Sequence, residues 1–171
     1  MPRIPLNTVA QGLLFFTAFS IGGTAVAGED LNKLLEGDFA FTETRVCQQF
    51  GGLVTAIVYG TYTYNGDGTG SVNGTNGPGN NTIEGVFVYT VNPDRSFTQS
   101  FGTLNLTFVA TGITGTITGI ETGGQIAAGQ KVLVLGHLNQ NPETVITGSN
   151  PQFTRNCIRS GSAVKIIGPE S

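Results

Sequence analysis

Glu43 and Arg45 stand two residues apart in DFAFTETRVCQQ (residues 38 to 49), on the same parity as Phe39 and Phe41. Alternate residues of a strand share a face, so if the phenylalanines point into a core, the carboxylate and the guanidinium go with them. Buried charges are costly unless paired. Three uses remain for such a pair: ion pairs across a sheet, with Arg155 and Arg159 as partners; contact with the polar end of a ligand; or proton transfer by Glu43. A bulge that flips the register, or a place at a wet rim, is the alternative without function. His137, the sole histidine, is the second candidate for acid–base work. It ends the run KVLVLGH and shares parity with Leu133 and Leu135, which puts it on the interior face near a rim. No G-x-S-x-G elbow appears, and spacing sets no nucleophile or orienting acid beside it. A structural or rim-exposed histidine is therefore the plainer reading.

Aromatic side chains supply either lining or core. Tyr59, Phe87 and Tyr89 join Glu43, Arg45 and His137 as the residues expected around a bound molecule, rings forming the apolar wall and ionisable groups the polar end. Tyr62, Tyr64, Phe97, Phe101 and Phe108 supply further material for core or lining, and core packing is the default reading for most of the aromatics. The turn Asn65-Gly66-Asp67-Gly68 resembles a piece of a calcium loop, but it lacks the spaced carboxylates and the closing Glu that six or more oxygen ligands require. Asn-Gly and Asp-Gly are hairpin pairs that accept positive φ, so the stretch reads as a bend. No metal and no cofactor are expected.

These groups sit in a chain whose composition limits what it can be. Only 11% of its residues are charged, the formal net charge is −3, and no Lys/Arg cluster offers a phosphate backbone a footprint. Nucleic acid is excluded on that ground. Glycine fills 26 of 171 positions, a poor composition for helices, while Thr, Val, Ile, Phe and Tyr favour strands. Arg3, the apolar GLLFFTAFSIGG (12 to 23) and Ala25-Val26-Ala27 read together as a secretory signal over residues 1 to 27, with an N-terminal membrane anchor as the alternative. A single domain over residues 28 to 171 then follows, secreted or periplasmic, with no integral membrane segment after cleavage. Cys47 and Cys157, the two cysteines, would meet an oxidising compartment and pair as a disulfide. A metal pair or a catalytic thiol lacks the further ligands or the base it would need.

The elements that must position all this are strands. DLNKLLEG (30 to 37) is the one segment with helical spacing, capped by Asp30 and ended by Gly37. After it come strand and turn in alternation: 38 to 49, 53 to 64 with a return through TGSVNG, a loop at TNGPGNN, 82 to 91 with a return through SFTQSFGTLNLTFVA, TGITGTITGI bent at its glycines, KVLVLGHL turning at NQNPE and returning as TVITGS, and 153 to 167. The count is about eight. The fold class is all-β, an antiparallel up-and-down meander closed into a barrel, with a short N-terminal helical turn. Closure removes two long edges and brings the first strand, with Cys47, beside the last, with Cys157. A two-sheet sandwich would also bring the cysteines together.

Gly37-Asp38-Phe39 opening the first strand after a helical turn, with Arg155 or Arg159 in the last, resembles the closed end of lipocalin-type barrels, where a G-x-W motif packs beneath an arginine of the final strand. Phe39 stands where the indole would be. The pattern is also similar to secreted bacterial β proteins with a GTYTYNGDGTG-like hairpin and to allene oxide cyclase-like barrels. These resemblances concern architecture, and fold does not carry function. The first expectation is binding of a small apolar or amphipathic molecule inside the barrel; the second, implied by the cyclase-like barrels, is an isomerase or cyclase in the same cavity; the third is a structural or adhesive β protein that self-associates through an uncovered edge.

Overall fold

Alternation on a period of two runs through the first strand without a break: Phe39, Phe41, Glu43, Arg45 and Cys47 are buried, and Ala40, Thr42 and Thr44 between them are exposed. The computed structural model describes residues 30–77, 80–137, 142–148 and 150–168; the expected signal at residues 1 to 27 falls outside them. A 3-10 turn, Leu31–Leu34, precedes ten strand segments: β1 (Glu36–Gln49), β2 (Gly52–Asn65), β3 (Thr69–Gly77), β4 (Asn81–Val91), β5 (Ser96–Phe108), β6 (Ile113–Thr118), β7 (Glu121–Ile126), β8 (Val132–His137), β9 (Glu143–Thr147) and β10 (Asn150–Lys165). The helical turn is a single one, capped by the Asp30 carboxylate, which accepts from Asn32 N–H at 3.2 Å.

β1 to β5 pair antiparallel in chain order. β5 then runs beside two segments in one continuous register, Phe108↔Ile113 to Leu104↔Ile117 with β6 and Ser100↔Glu121 to Ser96↔Gln125 with β7. These two segments occupy one position, split after Thr118 where Gly119 takes φ +81°; the TGITGTITGI run is a strand broken at a glycine. β8 and β9 likewise share a position, since β7 pairs with β8, β6 pairs with β9, and β10 pairs with both. β1 closes the sheet on β10 from Phe39↔Lys165 to Gln48↔Asn156. Ten segments thus make the eight positions of a closed antiparallel barrel. Cys47 and Cys157 face each other across that seam, 4.0 Å apart at Cα, and are disulfide-bonded.

Two boundaries differ from the sequence reading. The TNGPGNN loop is shorter than its composition implies, because the β3–β4 ladder continues through Thr75↔Thr82 and Asn76↔Asn81. The NQNPE turn overlaps residues 138–141, outside the described residues, and its last member is already strand: Glu143 opens β9 opposite Arg155.

The end of the barrel under the 3-10 turn is filled. Leu35 is fully buried there, and the Tyr89 hydroxyl ties the turn down, accepting from Gly66 N–H at 3.0 Å and lying 2.9 Å from the Leu35 carbonyl, to which it donates. Phe39, Tyr62, Tyr64, Phe87 and Phe101 pack above it in edge-on and tilted contacts, with Phe39 and Tyr64 at 5.4 Å and 84°. Such pairings suit the ring quadrupoles. β3 makes room for the rings by turning Gly70, Val72 and Gly74 inward. A methyl at Gly70 would lie 2.4 Å from Phe87 Cζ and 2.6 Å from the Thr63 carbonyl oxygen. Gly70→Ala is accordingly expected to lower the unfolding free energy by about 1–3 kcal/mol, the range for overpacked cores. An unchanged urea midpoint would show that the rings move aside freely.

Candidate functional site

Inward residues of β1, read from the filled end upward, pass from apolar to ionic to open. Phe39 and Phe41 belong to the aromatic core. Glu43 and Arg45 come next, buried to 2% exposure each, followed by Cys47 at the wall of a cavity of about 870 Å³. That volume lies within the range of pockets that take small ligands, roughly 300–1,000 Å³.

The ionic layer, with the Tyr62 hydroxyl, joins four strands, β1, β2, β9 and β10. Glu43 Oε1 accepts from the Tyr62 hydroxyl at 2.6 Å, and Glu43 Oε2 lies 3.8 Å from Arg159 Nη1. Arg159 Nη2 donates to Glu143 Oε1, and Arg155 Nε donates to Glu143 Oε2 at 2.9 Å. Sheet register explains the meeting: Arg45 faces Arg159 across β1–β10, and Arg155 faces Glu143 across β10–β9. Burial alone would push the Glu143 carboxyl up, but Arg159, Arg45 and Arg155 together outweigh it and hold the group below its ordinary range. Burial and the Glu43 charge push the Tyr62 phenol well up, so it remains a donor. Burial, reinforced by Arg159, lowers the Arg45 guanidinium to about 9, which Glu143 and Glu43 offset only in part. A void of about 10 Å³ separates this layer from Ile83 and Leu104, room for one water at most. The ionic layer is therefore the floor of the cavity.

Above the floor the wall is mainly apolar. Val54 of β2, Leu106 and Phe108 of β5, Ile117 of β6, Val145 of β9 and Phe153 of β10 line it, and Phe50 at the β1–β2 turn packs against Phe153 at 4.7 Å and a 44° tilt. Arg45 and Arg155 are the cations of the lining. Cys47, Cys157 and Glu143 bring potential ligand atoms within 4.8 Å of one another, but both sulfurs are spent in the disulfide, so no thiolate is offered to a metal.

The residues singled out from the sequence scatter over this frame. Arg45 lines the cavity. Glu43 lies beneath it, turned toward Tyr62 and Arg159. Phe87 and Tyr89 face inward but belong to the filled end, at 2% and 4% exposure. Tyr59 is a correction: it points outward and is 46% exposed, because Val58 and Tyr62, directly opposite inward Glu43 and Phe39, fix the inward parity of β2. His137 pairs with Thr122 at the end of β8, and its side chain lies outside the described residues. Glu143 and the wall residues Leu106, Ile117, Val145 and Phe153 were not singled out. The signal for Glu143 was its parity with Val145, hidden by the turn-like Asn-Pro before it. No protein-family model matches the chain and no curated protein matches it, so the site's own geometry is the basis for reading function.

Proposed function

We propose that the protein binds a small apolar or amphipathic molecule in the cup at the open end of the barrel. The observation that carries this reading is the cavity of about 870 Å³ walled by Val54, Leu106, Phe108, Ile117, Val145 and Phe153 over a floor of paired charges. A barrel whose side chains merely filled it would not divide so sharply into a packed half and a hollow half. An extracellular or periplasmic setting is part of the proposal, since the Cys47–Cys157 bond suits an oxidising compartment. Enzymatic use of Glu43 gains no support, because that carboxylate lies below the cavity and is engaged by Tyr62 and Arg159. The edge that self-association would need is covered by the β1–β10 seam.

A neutral, polarity-sensitive dye such as Nile red tests the reading. Its fluorescence is expected to rise on mixing with the protein, and a native mass spectrum of gently purified material is expected to show an added mass that is lost on denaturation. Ala56→Trp places an indole into the cup from β2. It is expected to weaken dye binding at least about tenfold, as for loss of more than 1.4 kcal/mol of contact, while leaving the unfolding midpoint nearly unchanged. Dye binding unaffected by that indole would remove the cup as the site.

A further inference from the structure

Among the described residues, nine buried side-chain polar atoms have no hydrogen-bond partner, and six of them belong to residues lining the cup: Arg45 Nε and Nη1, Arg155 Nη2, Gln49 Oε1, Asn76 Oδ1 and Thr147 Oγ1. Buried polar atoms in native proteins are nearly always paired, so a concentration of exceptions in one cavity marks where a partner belongs. Charge points the same way. Glu43 and Glu143 are two carboxylates against the three guanidiniums of Arg45, Arg155 and Arg159, leaving the layer one positive charge in excess. Glu143 turns toward Arg155 and Arg159, Glu43 turns toward Arg159, and Arg45 forms no ion pair with either carboxylate, although it is 2% exposed. A buried, unpaired guanidinium is among the least favourable groups a protein can hold.

We propose that the cup takes an amphipathic carboxylate, its head seated on Arg45 and Arg155 and its apolar body lying along Leu106, Phe108, Ile117, Val145 and Phe153. The proposal rests on the cup being the ligand site. A carboxylate supplies one negative charge, which neutralises the layer, and planar oxygens that accept paired N–H donors from a guanidinium fork. The Thr147 hydroxyl can donate as well, and a half-turn of the Gln49 and Asn76 amides presents N–H groups to the same polar end. Burial and the neighbouring Arg159 charge lower the Arg45 value, and a carboxylate seated beside it would act in the opposite direction. Arg155, at 12% exposure, carries the contact toward the mouth.

Decanoate and decanol, identical in chain and differing in charge, test this by displacement of Nile red. Decanoate is expected to bind at least tenfold more tightly than decanol. Arg45→Met is expected to abolish that preference while leaving decanol affinity within twofold, and to raise the thermal midpoint of the ligand-free protein, because it replaces an unpaired buried charge by an apolar side chain of similar length. That stability gain shows that the variant folds. Equal binding of decanoate and decanol by the parent protein would overturn the carboxylate proposal and leave the cup. Displacement of the dye by neither compound would overturn both. A preference for decanoate that persists in Arg45→Met would overturn the assignment of Arg45 as the headgroup ligand.

Discussion

Glu143→Gln is expected to destabilise the protein by about 3–5 kcal/mol, the range for removing one partner of a buried ion pair. Glu143 accepts from both Arg155 and Arg159 and is 1% exposed; without its charge, Glu43 alone faces three guanidiniums. Urea unfolding checks the magnitude, and a paired substitution checks the cause. Glu143→Gln combined with Arg159→Met is expected to lose less than the sum of the two single changes, because the second removes a charge that the first leaves uncompensated. The pH dependence has a definite sign. A carboxyl held below its ordinary value of 4.5 in the folded state binds protons more readily when unfolded. Its stabilisation is complete above the unfolded value and is lost as pH falls through the folded one. The parent protein should lose stability as pH falls below about 4.5, and Glu143→Gln should show a shallower decline there. Equal slopes for the two would remove Glu143 as the acid-sensitive group.

Replacing Cys47 and Cys157 together by alanine is expected to remove about 4–5 kcal/mol, the chain-entropy value for a loop of this size. The bridged residues are 110 apart in sequence, and the reduced chain gains the freedom of nearly the whole barrel when it unfolds. The urea midpoint of the double variant, compared with that of the oxidised parent, measures the effect. A loss below about 1 kcal/mol would mean that residual structure already confines the unfolded chain nearly as much as the bond does.

Much of this was legible in the residues because β1 obeys strict alternation. Once Phe39 and Phe41 are taken as inward, Glu43, Arg45 and Cys47 follow, and all five are buried. The seam cysteines likewise favoured closure, although a two-sheet sandwich would have brought them together as well; the β1–β10 ladder decides for the barrel. What parity does not carry is height along the barrel axis: Phe87, Tyr89 and Arg45 all face inward, yet only Arg45 reaches the cup. Parity is also silent where a strand bears tyrosines on both faces, as β2 does with Tyr59 against Tyr62 and Tyr64; pairing with β1 settles it. Glu143 escaped for a local reason, since Pro142 before it signals a turn while the tertiary ladder starts the strand immediately after. The aromatic gap in β3 is a further case: Gly70 and Gly74 read correctly as part of a returning strand, but nothing in the sequence marks them as space for rings.

The seam between β1 and β10 also sets an order of events. Each ladder from β1 to β5 can form as soon as the next hairpin exists, but the first strand has no second neighbour until the last one is in place. Contacts between residues so distant in sequence are formed late and slowly, because loop closure must precede them. The wall of the cup that carries Arg45 and Arg155 is completed in that same step. The cup proposed as a ligand site is therefore complete only at the end of folding, and dye fluorescence appearing during refolding would time the closing of the barrel itself.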